Sequence, residues 1–133
     1  LYYRNKNGTI TKLETFVQPN GIIGSEKLKK LFVSDIDANK TYVYDILGEG
    51  KLSEKKLFCE MGSDGMTLDN QGNLYLTGKG VKIFNNKGEK LTNIPIDENW
   101  TSNVTFGGKN NSTLFITASH SVYILQMNVS GVK

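Results

Sequence analysis

Cysteine occurs once in the 133 residues, at Cys59, so no internal disulfide can staple the chain. With neither a histidine nor a second cysteine near it in sequence, Cys59 reads as a small buried apolar residue rather than a reactive thiol. No apolar run approaches the roughly 20 residues that a bilayer-spanning helix requires, and the first residues do not resemble a signal peptide. Apolar residues do not recur at i, i+3, i+4 and i+7 over any helix-length window, which excludes a helical solenoid. Charge of one sign is scarce too. The net charge is +3, and its 16 basic and 13 acidic residues are spread along the chain, so the field is too diffuse to support binding to nucleic acid or to an anionic membrane surface. Lys27, Lys29 and Lys30, and the pair Lys55 and Lys56, read as solvated loop or edge-strand faces. What remains is consistent with a soluble protein of the cytoplasm or the periplasm.

Alternation of period two is present throughout, and so is a repeat. In the central copy, Ser63-Asp64-Gly65-Met66 is followed after a turn by Leu74-Tyr75-Leu76-Thr77. The upstream copy runs Asn20-Gly21-Ile22-Ile23, then Leu31-Phe32-Val33-Ser34; the downstream copy runs Asn103-Val104-Thr105-Phe106, then Leu114-Phe115-Ile116-Thr117. Each is an amide or carboxylate opening a strand, followed by a strand that ends, after its apolar residues, on a hydroxyl. Asn20 lies 44 positions before Asp64, and Asp64 lies 39 before Asn103, the spacing of four-stranded propeller blades, about 40 to 50 residues.

The expected fold is therefore all-β: a partial β-propeller of about three four-stranded antiparallel blades. Residues 1–10 match residues 81–90, the outer half of a blade, so the chain is expected to begin in mid-blade. It divides into outer strands at 1–17, a blade at 18–60, a second at 61–98 and a last at 99–133, all within one propeller domain. Residues 51–58 read as one charged outer strand and residues 121–129 as the last strand, with Trp100 packed between blades. Such an arc would expose the apolar faces of its terminal blades, so the remaining blades of the same protein, or a partner, are expected to cover them.

In a propeller the innermost strand of each blade lines the central channel, so a residue recurring at its start is brought to one place from every blade. Those residues are Asn20, Asp64 and Asn103. Asn-Gly and Asp-Gly are also hairpin dipeptides, but these precede the inner strands, where a crossing loop is expected. Converging amide and carboxylate oxygens suit a hard or borderline divalent cation. His120, alone in a turn, reads as an exposed hydrogen-bonding residue outside that set.

Pro19-Asn20-Gly21-Ile22, Ser63-Asp64-Gly65-Met66-Thr67-Leu68-Asp69 with Gly72-Asn73-Leu74-Tyr75, and Thr105-Phe106-Gly107-Gly108 with Leu114-Phe115-Ile116-Thr117 together resemble the gluconolactonase, senescence marker protein and regucalcin family. The resemblance covers essentially the whole chain. It implies a six-bladed propeller of which this is the C-terminal part, and metal-dependent hydrolysis of small sugar lactones or related esters. It also implies one divalent cation, calcium or zinc, with Asn20 as an asparagine ligand and Asp64 as an aspartate ligand and general base. Asn103 is a channel-facing candidate for substrate contact. The competing reading is a propeller that binds calcium or a protein partner without turnover, since fold alone never establishes chemistry.

Overall fold

A computed structural model describes residues 1–132, all of them in strands, turns and loops with no helix among them. No helix long and apolar enough to cross a membrane occurs among these described residues. The strands β1 (Tyr2–Arg4) and β2 (Ile10–Lys12) form a hairpin whose turn places Gly8 at φ +89°, a conformation open to glycine at no steric cost. Next comes a sheet of β3 (Pro19–Ser25), β4 (Lys30–Asp35) and β5 (Lys40–Gly48), with β6 (Lys51–Leu52) and β7 (Lys56–Cys59) both paired to β5. The following sheet is β8 (Met66–Leu68), β9 (Leu74–Gly78), β10 (Gly80–Phe84) and β11 (Lys90–Ile94), in that order. The last is β12 (Thr101–Gly107), β13 (Thr113–Ala118) and β14 (Ser121–Gln126). Every pairing is antiparallel, and β4, β9 and β13 occupy the same second position in three separate sheets. This is the arc of propeller blades that the repeat spacing implies.

Two sheets depart from the expected four strands. Residues 51–58 do not run as a single outer strand, because Ser53 gives its N–H to the Asp45 carbonyl (3.0 Å) and takes the Asp45 N–H on its Oγ (2.9 Å). That side-chain bond replaces a step of the ladder, and regular pairing with β5 resumes only at Lys56. In the last sheet, β14 stops at Gln126 rather than at residue 129. The chain then turns back: the Asn70 N–H donates to the Ser130 carbonyl (2.7 Å) and the Val132 N–H to the Leu68 carbonyl (3.0 Å). The C-terminal residues thus dock on the far end of β8 instead of extending the last sheet.

The core lies between sheets. Phe32, Cys59, Met66, Leu68, Leu74, Leu76 and Phe84 fill one space, and Tyr75, Val81, Ile83, Val104, Leu114 and Ile116 the next. Alternation along β9 explains the split, since Leu74 and Leu76 point one way and Tyr75 the other, leaving the whole strand buried on both faces. Cys59 sits in the first space, where burial pushes its thiol up to about 11 and keeps it protonated and quiet.

Asp35 ties the segment before β3 to the turn after β4. Its carboxylate accepts the N–H groups of Val17 (2.8 Å), Gln18 (3.0 Å) and Ala38 (3.3 Å). Burial pushes its pKa up, but the three N–H groups outweigh burial and hold it below the usual aspartate value. A depressed folded-state pKa stabilises the fold at neutral pH and loses that effect as pH falls through and below the ordinary aspartate pKa of about 3.9. Asp35→Asn should therefore be less stable than the parent at pH 7, with the gap closing below about pH 4. Urea midpoints across that range check it, and a gap independent of pH would refute the assignment.

Candidate functional site

Asn20 stands in β3 where pairing with β4 shifts register between Pro19 and Ile22, and Asn103 in β12 where pairing with β13 shifts between Thr101 and Asn103. Asp64 precedes β8. All three therefore occupy irregular backbone at the start of a first strand, where a bulge or a loop can re-aim a side chain.

The same bond joins each start to the next. The Gly21 N–H donates to the Ser63 carbonyl (3.2 Å), and the Gly65 N–H to the Ser102 carbonyl (2.8 Å). The glycines permit this approach. A Cβ at position 21 would lie 2.4 Å from the Asp64 carbonyl oxygen, and one at position 65 would lie 2.1 Å from Asn103 Oδ1 and 2.7 Å from Asn103 Cα. Neither glycine has positive φ, so Asn20-Gly21 and Asp64-Gly65 are close-packed junctions and not hairpin turns. The three candidates are consequently set side by side along the arc.

Behind them runs a row of hydroxyls, Ser34, Thr77 and Thr117 from the second strand of each repeat and Ser63 and Ser102 from the strand starts. Ser34 Oγ accepts the Ser63 N–H, and Ser63 Oγ takes the Thr77 N–H (2.8 Å) while donating to the Gly65 carbonyl (2.7 Å). Thr77 Oγ1 donates to the same carbonyl (2.8 Å), and Ser102 Oγ pairs with Thr117 Oγ1 (2.9 Å). Ser34, Ser63 and Thr77 are buried, so the backbone carrying Asp64 is held by satisfied polar groups away from water. The recurring hydroxyl was visible in the sequence, but its function of pinning the strand starts was not.

The side-chain oxygens differ in how they are occupied. Asn20 is exposed, with no side-chain hydrogen bond among the described residues, and Asn103 Oδ1 accepts the N–H of Val104 (2.9 Å). Asp64 uses Oδ2 to accept the indole Nε1–H of Trp100 (3.2 Å). Trp100 is thus not packed between sheets, as the sequence suggests; it is 45% exposed and sits at the same mouth as Asp64. The space between those sheets is already filled by Val81, Val104 and Ile116 with their neighbours. His120 lies apart, exposed in its turn, with Nε2 3.8 Å from Glu98 Oε1.

No group of three or more His, Cys, Asp or Glu side chains among the described residues is placed to hold a metal ion. The side-chain donors at the three strand starts are amide oxygens and one carboxylate, a set suited to a hard cation that tolerates neutral oxygen ligands. Asn20 and Asp64 fit such an ion, each keeping an uncommitted side-chain oxygen.

The sequence pattern of the family described as "SMP-30/Gluconolactonase/LRE-like region" matches residues 1–120. A gluconolactonase of Zymomonas mobilis is 33% identical over 129 residues, which take in 86% of this chain and 36% of that protein. The structure of a gluconolactonase from Xanthomonas campestris superposes with a TM-score of 0.82 at 26% identity, covering 94% of this chain and 43% of the other. The structure of a calcium-binding protein, regucalcin, from Agrobacterium tumefaciens gives a TM-score of 0.80 over 98% of this chain and 52% of the other; at 21% identity it shows the shared fold alone. This chain spans 47% and 36% of the length of two of the curated relatives it matches, less than half of each.

Proposed function

We propose, from the premise that this chain belongs to the SMP-30/gluconolactonase/LRE-like family, that it supplies part of the active site of a propeller that hydrolyses sugar lactones or related small esters. The observation that carries the reading is the junction of Asn20 with Asp64: two oxygen donors from successive blades, each with an oxygen to spare, on a rigid backbone. They would hold a divalent cation, calcium or zinc, which when bound polarises the ester carbonyl and offsets charge developing on its oxygen.

Asp64 is the group in this set able to take a proton. With Oδ2 committed to Trp100, its Oδ1 orients an attacking water and accepts the proton as the water adds to the carbonyl. Asn20 binds without titrating, so it tunes cation affinity and not proton transfer. Asn103, exposed beside Gly65, would contact the hydroxyl groups of a sugar lactone.

The test is an assay of sugar-lactone opening by the propeller that contains this chain, with calcium or zinc and after chelation. Hydrolysis that disappears on chelation and returns with the ion is the expected result. Cation binding by calorimetry with no turnover of any lactone or ester would instead favour the non-enzymatic reading.

A further inference from the structure

We infer that Trp100 is a positioning residue for the Asp64 carboxylate, holding Oδ2 so that Oδ1 is presented to the cation and the water; this rests on the reading of Asp64 given above. The indole is a donor-only group that neither accepts a proton nor carries charge. At 3.2 Å it commits one carboxylate oxygen and selects one orientation of the side chain without competing for the ion. Both ends of the bond are anchored independently. Asp64 is fixed through Gly65, whose N–H reaches the Ser102 carbonyl (2.8 Å), and the Trp100 carbonyl accepts the N–H of Ser119 (2.9 Å). The two residues are 36 positions apart and belong to successive repeats, so the bond also links two blades at the mouth.

Packing among the described residues does not account for Trp100. The ring is 45% exposed, belongs to neither core cluster, and makes no aromatic pair among the described residues. A large apolar side chain left half in water, with its single polar atom on the candidate base, is better explained by what that atom does. Partners that orient metal-binding side chains typically matter by about 10- to 100-fold in affinity or activity.

The experiment compares the parent with Trp100→Phe and Trp100→His, the latter retaining a ring N–H. Binding of calcium, and of zinc, is measured by calorimetry without substrate, and the indole N–H resonance lost in Trp100→Phe is followed in the parent as the ion is added. The resonance should shift on ion binding, Trp100→Phe should weaken affinity by about 10-fold or more, and Trp100→His should recover part of it. Urea midpoints of parent and Trp100→Phe should coincide, which a merely structural role would not give. An unmoved resonance, or Trp100→Phe binding both ions as the parent does, overturns the inference. If lactone hydrolysis is present and equal in parent and Trp100→Phe, positioning fails while the lactonase reading stands; if affinity falls but neither the parent nor any variant hydrolyses a lactone, the reverse holds.

Discussion

Asp64→Asn is expected to lower lactone hydrolysis by roughly 10² to 10⁴ while reducing cation affinity much less. Asparagine keeps a neutral oxygen for the ion but cannot accept a proton, so the substitution separates the two roles assigned to this side chain. Asp64→Ala removes both and should abolish turnover and weaken the ion together. The fold should survive, because Asp64 is only half-buried at the mouth and its backbone is held by Ser63, Thr77 and Ser102 rather than by its own carboxylate. Rates at saturating ion, with affinity measured separately by calorimetry, decide the matter. Wild-type rates for Asp64→Asn would remove the base assignment; unchanged affinity in Asp64→Ala would place the ion elsewhere.

Loss of stability, not of chemistry, is the expected result of Asp69→Ala at the other end of β8. This carboxylate is fully buried and accepts four bonds: the N–H groups of Gln71 (2.9 Å) and Asn73 (2.9 Å), Asn73 Nδ2 (2.8 Å) and the Tyr75 hydroxyl (3.1 Å). Burial, with the Asp69 charge beside it, pushes the Tyr75 phenol above its usual pKa, so the hydroxyl stays a donor at any ordinary pH. Removing the shared acceptor strands buried donors at about 1 to 3 kcal/mol each where no water replaces it, so a total on the order of 3 to 5 kcal/mol is expected. Asp69→Asn retains an oxygen for the backbone donors and should cost about half as much. Chemical denaturation of the two variants beside Asn70→Ala, an exposed neighbour, measures this. An Asp69→Ala variant within about 1 kcal/mol of the parent would show that water enters the turn and takes over those bonds.

Much of the architecture is local, and for that reason it was legible. Period-two alternation, the turn at Gly8, and the equivalence of the strands near Leu31, Leu74 and Leu114 are set by residues within a few positions of one another. The spacing of the repeat then placed Asn20, Asp64 and Asn103 at matching strand starts. Where a side chain competes locally with the ladder, as Ser53 does at Asp45, the strand boundary shifted from the one that charge and alternation suggested.

What the tertiary structure decided concerns residues brought together across blades. Position in the repeat already set Gly21 and Gly65 apart from hairpin glycines, but that they are close-approach glycines only the fold shows, because the atoms that exclude a Cβ belong to Asp64 and Asn103, roughly one repeat away. Trp100 looks like a core residue and is a donor to Asp64 for the same reason. The return of residues 130–132 to Leu68 and Asn70 likewise has no local signature. Alternation specifies which face of a strand a side chain occupies, but the stacking of one sheet on the next determines which atoms that face meets.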